Sequence, residues 1–404
     1  MGLSTSVLTG TPHDVLQRLV DRAANFAVAV DPDESQRPRP LEGEDGMCGV
    51  HVAQTMRRLD IRMTVESGCV KAANRVGPDA GWIDADIRFI PRETRALPDR
   101  LPQTIPFDPG ASQRCAVQNV VVSFGPGSDG FAAFGTGRTF PVFSGGRASV
   151  TLAAILNITS GFGRFEGHEG NFTLCGSVCP ESGFSGFIMF RVVDPHERLL
   201  APGPIPLPQG SAAADSGVTY LTHIGRKPLG APDLVNTPSF AADGSLRGLN
   251  IPVQSRRVST GFNPNGFTAS PLDVGEIIGR EIGFGKGSVP GASASGSALD
   301  PFLFEGVSTY SFCDSGGRTV GTFTANVIEG RRFDVRLPDA SGEPALRFGF
   351  FGPIVAGSGC FEGAQGMLCG ASGSVFHPPP GDHVISNWYI ARLLDPDGRF
   401  LAER

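Results

Sequence analysis

Hydrophobic and polar positions in this chain follow two different periods. Over residues 11–28 the apolar positions Val15, Leu16, Leu19, Val20 and Ala23 fall on one helical face. Thr11 can cap such a helix and Pro12 stands at its first position, so the spacing predicts a short helix over 11–28. From about residue 47 the period drops to two. Leu59-Asp-Ile-Arg-Met-Thr-Val65 alternates cleanly, and Val117-Gln-Asn-Val-Val-Val-Ser-Phe124 does so more loosely. Clusters of Gly, Pro, Asp and Ser punctuate these runs, which predicts many short strands joined by tight turns.

The strand pattern occurs twice. Gly161-Phe-Gly163-Arg-Phe165-Glu166-Gly167-His-Glu-Gly170 is echoed by Gly357-Ser-Gly359-Cys-Phe361-Glu362-Gly363-Ala-Gln-Gly366, at an offset of 196 residues. Leu174-Cys175-Gly176 matches Leu368-Cys369-Gly370, and Arg191-Val-Val-Asp194-Pro195 matches Arg392-Leu-Leu-Asp395-Pro396 at an offset of 201. Upstream, Val122-Ser123-Phe124 echoes Tyr310-Ser311-Phe312. Ordered matches of this extent mark a tandem duplication. A linker rich in Pro, Ala and Gly separates the copies. The expected organisation is therefore an N-terminal helix and linker (1–46), a first barrel (47–203), a linker (204–217) and a second barrel (218–404). Closing the strands into barrels would remove exposed sheet edges.

Composition narrows the chemistry. The 404 residues carry a formal charge of −6 without basic or acidic blocks, so no nucleic-acid partner is expected. No run approaches the length of a membrane span, and the N-terminus lacks a signal-peptide pattern. A cytoplasmic protein with reduced thiols is expected. The eight cysteines include no Cys-x-x-Cys pair or zinc-finger spacing. Gly-rich stretches lack the Lys-Ser/Thr of a phosphate loop, and no serine stands in a nucleophile elbow. No metal and no other cofactor are expected. There are 29 Phe against only 3 Tyr and 2 Trp, which suits an apolar interior with few hydrogen-bonding aromatics.

The segment Ala356-Gly-Ser-Gly-Cys-Phe-Glu-Gly-Ala-Gln-Gly366 resembles the signature of the allene oxide cyclase family and its dirigent relatives. Thr309-Tyr-Ser-Phe312 and Val320-Gly-Thr-Phe323 resemble that family's upstream strands. The family's catalytic acidic, proline and asparagine positions have no clear match, so they are not carried over. The resemblance implies two tandem antiparallel β-barrels of allene oxide cyclase-like type. It also implies an apolar cavity that steers a lipid-like or polyketide-like intermediate.

The functional expectation is a cofactor-free cyclase or isomerase of specialised metabolism. It would confine a hydrophobic polyene, epoxide or quinone-methide-like small molecule in a reactive shape. One or two hydrogen-bond donors would polarise a carbonyl or epoxide. The alternative is a non-catalytic lipophilic carrier or a dirigent-like coupling guide, and a homo-oligomer is compatible with either. Tyr310, Tyr389, Glu362 and His383 are the candidate catalytic groups. Trp388, Asn326, Thr324 and Phe323 are the candidate substrate contacts. Each also has a plainer reading: Glu362 as a turn residue, the aromatics as core, and Asn326 with Thr324 as a solvent face. The second copy, with Tyr310, Trp388 and Tyr389 where the first has Val122, Phe187 and Ile188, is the expected seat of function.

Overall fold

The structure is a computed structural model. It describes residues 23–30, 39–41, 49–89, 113–144, 147–179, 183–193, 199, 211–212, 217–225, 239–240, 245–255, 258–260, 262–263, 266–267, 277–287, 304–336, 344–375, 385–394 and 398–400, apart from 126, 315 and 317, with side chains for part of that set. Among these residues there is no α-helix, and the chain builds two large antiparallel sheets and a short two-stranded ladder of Phe262–Asn263 with Gly266–Phe267.

The first sheet contains β1 (Ala23–Val30), β2 (Gly49–Glu66), β3 (Cys69–Phe89), β4 (Gln113–Phe124), β5 (Asp129–Ser144), β6 (Arg147–Phe162), β7 (Gly170–Cys179) and β8 (Gly183–Val193). Each strand from β2 to β8 pairs with the next. β1 pairs with β8 on one side and with β2 on the other. The second sheet contains β9 (Gly217–Gly225), β10 (Ser245–Ser255), β11 (Ile277–Gly287), β12 (Phe304–Cys313), β13 (Thr319–Val327), β14 (Glu329–Arg336), β15 (Pro344–Gly359), β16 (Gly366–Val375) and β17 (Ile385–Leu394). Its pairings follow the same path, with β13 and then β14 both laid against β15. β9 again pairs with the last strand and with the one after it.

Residues 23–28, within the expected helix, instead form part of β1; residues 11–22 lie outside the described residues. Phe26, Val28 and Val30 alternate with alanines, a β-compatible pattern, and β8 and β2 both offer unpaired backbone groups on either side. Two hydrogen-bonded ladders outweigh a helical spacing carried by a few residues. The first sheet thus begins at Ala23, inside the segment expected to be helix and linker. Its counterpart is β9, since Ala23 pairs with Val193 and Gly217 with Leu394.

The register also refines the repeat. Gly170 pairs with Val192 and Gly366 with Leu393, so β7 and β16 correspond at the 196 offset along their length. Cys369 is therefore the counterpart of Thr173, and Cys175 of Ala371, rather than of each other. The extra residues of copy two lie in the β16–β17 connection, around Pro378-Pro-Pro-Gly-Asp382.

The signature itself is a turn repeated atom for atom. In both copies a glycine bonds to the amide three residues on, Gly163 to Glu166 and Gly359 to Glu362, each at 3.1 Å. Phe165 and Phe361 then accept from His168 and Ala364, each at 2.9 Å. Gly167 and Gly363 both stand at φ 74°, where side chains are strained. A Cβ at Gly161 or Gly357 would lie 1.8 Å from the carbonyl oxygen of Phe165 or Phe361. The turn folds back onto its own strand and buries its phenylalanine completely.

Alternation divides each strand between two buried surroundings. On β6 to β8, Leu152, Leu156, Phe172, Leu174, Ile188 and Phe190 belong to the core of their own sheet. Their neighbours Ile155, Thr173, Cys175, Phe187, Met189 and Arg191 point the other way and are buried as well. What covers that second face is β15 to β17 of the other copy. A Cβ at Gly349 on β15 would lie 2.5 Å from the Ile155 side chain, so here the side chains of the first sheet pack directly on the backbone of the second. The Arg392 guanidinium sits 5.0 Å over the Phe187 ring. Glu329 is 1% exposed, accepts from Thr136 at 2.9 Å and pairs with Arg138 at 3.2 Å.

Two outcomes follow. Gly357→Ala, with no room for its Cβ, lowers stability by about 3 kcal/mol in denaturant unfolding, and Gly363→Ala, which meets only backbone strain, by about 1 kcal/mol. Glu329→Ala removes the carboxylate that pairs with a largely buried Arg138 and costs about 3 kcal/mol by the same measurement, while Glu329→Gln, which keeps the Thr136 bond, costs less.

Candidate functional site

Among the described side chains, those singled out from sequence do not gather in one place. Tyr310 and Phe323 do meet: both are buried, with ring centroids 5.1 Å apart. Phe312, Phe361 and Phe400 continue the stack at 5.0 to 5.6 Å, so this end of the second sheet is filled by aromatic packing. Thr324 and Asn326 fall on the opposite face of β13 from Phe323. There the Thr324 hydroxyl lies 2.9 Å from that of Thr309. Glu362 is exposed on the signature turn, where its backbone carbonyl accepts from Arg399 at 2.6 Å. The backbones of Trp388 and Tyr389 pair with Ala371 and Gly370, and their side chains lie outside the described residues, as does all of His383. Copy one is filled in the same way, with Phe124, Phe131, Phe165, Phe172 and Phe190 at centroid spacings of 5.0 to 5.9 Å.

On the surface of the first sheet, His51 Nδ1 lies 2.9 Å from Asp86, and Asn119 donates to the same carboxylate at 2.8 Å. Burial acts to raise the Asp86 pKa, but the bonds from Asn119 and His51 outweigh it and hold the carboxyl below its usual range. This cross-strand cluster satisfies itself and faces no pocket described here.

A pocket of about 440 Å3 opens where the two sheets meet, lined by Cys69, Lys71, Gly359, Cys360, Glu362 and Arg399. Its first wall is the β2–β3 hairpin. Glu66 pairs with Cys69, leaving a two-residue turn in which Ser67 and Gly68 both have positive φ, 52° and 76°. That is the type I′ geometry matching the twist of paired strands, and it sets Cys69 and Lys71 just past a stiff tip. The second wall is the signature turn of copy two. Its Cys360 takes the place of Arg164, which in copy one donates twice to Asp129 at 3.0 Å. The counterpart of Asp129 is Gly321, as the pairing of Phe124 with Asp129 and of Phe312 with Gly321 shows. A Cβ at Gly321 would come within 3.0 Å of the Cys360 sulfur. Copy two has thus exchanged an internal ion pair for a thiol over a glycine. The third wall is Arg399, which donates to the carbonyls of Cys360 and Glu362 at 2.7 and 2.6 Å, while Lys71 donates to the carbonyl of Arg399.

Cys69 and Cys360 bear on each other's ionisation. The Cys69 thiol is the main cause that holds Cys360 down to about 7, against burial, with the Val70 amide, Arg399 and Lys71 adding to it. The same contact, together with burial, pushes Cys69 well above the ordinary thiol range. Cys115, Cys175 and Cys369, by comparison, are fully buried. Burial pushes Cys115 up to about 12, and Cys175 together with burial raises Cys369. The arrangement supplies a thiolate near neutrality, a neighbouring thiol donor and two cations around an open cavity. Sequence reasoning passed over Cys69, Lys71, Cys360 and Arg399. The one signal available was the exchange of Arg for Cys inside an otherwise repeated turn.

No family model, no curated protein and no solved structure matches this chain.

Proposed function

We propose that each sheet is a barrel of the allene oxide cyclase-like type, and that the protein is a cofactor-free isomerase or cyclase working in the pocket between the two units. What supports the barrel reading is the pairing path, in which the first strand of each copy bonds both to the second strand and to the last. What carries the functional reading is the convergence of Cys69, Lys71, Cys360 and Arg399, from both sheets, on one cavity. Packed aromatic interiors favour this pocket over the barrel centres.

The substrate class that suits the site is a small unsaturated carbonyl compound, an enone or quinone-methide-like electrophile, bearing an anionic group. Lys71 and Arg399 attract the anion and stabilise the oxyanion that develops. The Cys360 thiolate adds to the electrophilic carbon, forming a C–S bond and moving the π electrons onto oxygen. The former double bond is now single, so the intermediate can rotate or close a ring. Collapse of the oxyanion re-forms the carbonyl, breaks the C–S bond and returns the thiolate, with no net oxidant or reductant.

Alkylation of Cys360 by iodoacetamide should rise with pH through a midpoint near 7, because the thiolate is the reactive form and appears as pH exceeds the pKa. Cys69→Ala removes the main stabilising contact and should move that midpoint up towards 9.0. An unmoved midpoint would mean that the thiol pair is not coupled. For the reaction, a cis-4-oxo-2-enoate serves as probe, followed by NMR and intact mass. The expected result is conversion to the trans isomer with a transient adduct on Cys360, both lost in Cys360→Ser. Binding without conversion supports the carrier reading instead, and absence of both binding and adduct overturns the pocket assignment.

A further inference from the structure

We propose that Cys69 and Cys360 form a reversible disulfide on exposure to a hydroperoxide, a covalent clasp between the two copies that also removes the pocket's nucleophile. The regulatory consequence rests on the function proposed above; the bond itself does not.

Three observations carry it. First, the two cysteines line one pocket although they come from strands far apart in sequence, one on the β2–β3 hairpin and one on the signature turn of copy two, and each thiol bears on the ionisation of the other. Both walls are stiff. The hairpin ends in a two-residue turn, and Arg399 ties the second turn through two carbonyls. Two thiols that face one pocket from stiff walls need little backbone movement to join. Second, both cysteines are half-buried and line an open cavity, so a peroxide can reach them. Third, the protein contains its own control. Cys175 likewise bears on the ionisation of Cys369 across the sheets, but both are fully buried. Mutual influence is common to both pairs; access and neighbouring cations belong to one.

The chemistry balances with the peroxide as oxidant. The Cys360 thiolate attacks the distal oxygen and the O–O bond breaks, giving a sulfenic acid and, for hydrogen peroxide, water once hydroxide is protonated. Lys71 and Arg399 favour both the thiolate and the departing anion. Cys69 then attacks the Cys360 sulfur, the S–O bond breaks, and a second water leaves. Two thiols and one peroxide become one disulfide and two waters. A small dithiol reverses the bond by exchange.

The test treats the full-length protein with a few equivalents of hydrogen peroxide, then digests it without reduction and maps the peptides by mass spectrometry. The expected product is a Cys69–Cys360 crosslinked peptide, lighter by two hydrogens than the separate pair and resolved by dithiothreitol, with Cys175 and Cys369 still free. In Cys69→Ser the same treatment leaves a Cys360 sulfenic acid that dimedone traps. Direct over-oxidation of Cys360 in the wild type without a crosslink, or a crosslink through Cys175 and Cys369 alone, overturns the proposal. The readout is bond formation rather than turnover. A wild-type protein that isomerises the enoate but never crosslinks keeps its function and loses this inference, and one that crosslinks without turnover does the reverse.

Discussion

The contact between the outer faces of β6–β8 and β15–β17 is the constraint on which the rest of the structure depends. A strand in a sheet that faces water on one side alternates apolar with polar. Here that alternation breaks down: Ile155, Cys175, Phe187 and Met189 are as buried as Leu156, Leu174, Ile188 and Phe190 beside them. Such strands are stable only if something covers the second face, and in this chain the same strands of the other copy do so. The contact is isologous in kind, like that of a symmetric dimer whose two protomers have been fused. At Gly349 a Cβ would meet the facing Ile155 side chain at 2.5 Å and that of Thr173 at 3.0 Å, which shows how closely the faces meet.

That contact builds the pocket. Neither copy contains it: Cys69 and Lys71 come from one sheet, Gly359 and Cys360 from the other, and Arg399 from the tail beyond β17. Duplication supplied two equivalent turns, and packing placed only the second of them against the β2–β3 hairpin. There Cys360 stands where copy one has Arg164, and Gly321 where copy one has its partner Asp129, so the ion pair of copy one has no equivalent in this turn. The consequence is chemical. A buried thiol such as Cys115 is pushed up by desolvation and becomes inert, whereas a half-buried thiol beside a second thiol and two cations is held near neutrality.

The aromatic cores take the opposite role. Phe165 and Phe361 occupy matching places, each locked by the glycines of its turn and surrounded by rings at 5.0 to 5.6 Å. Tyr310 belongs to that stack rather than standing apart from it. The scarcity of polar aromatics drew attention to Tyr310 in the sequence, but scarcity does not say where a side chain points. Phe323 and Thr324 illustrate the same limit, since adjacent residues on one strand must face opposite sides.

The sequence alone determined the all-β class, the duplication and the signature turn, because these rest on local physics. Period-two alternation, glycines at positions that need φ > 0 and a repeated order of motifs are all properties of short segments. It misread residues 23–28, where a few apolar residues at helical spacing were overridden by two flanking ladders that only the folded sheet provides. It also matched Cys175 to Cys369, which strand register separates by two residues. Tertiary structure alone decided the site. Cys69 and Cys360 lie 291 positions apart and carry no spacing motif, so no local pattern could join them. Their chemistry exists because two sheet faces, each unable to stay in water, bury one another and bring a hairpin of one copy against a turn of the other.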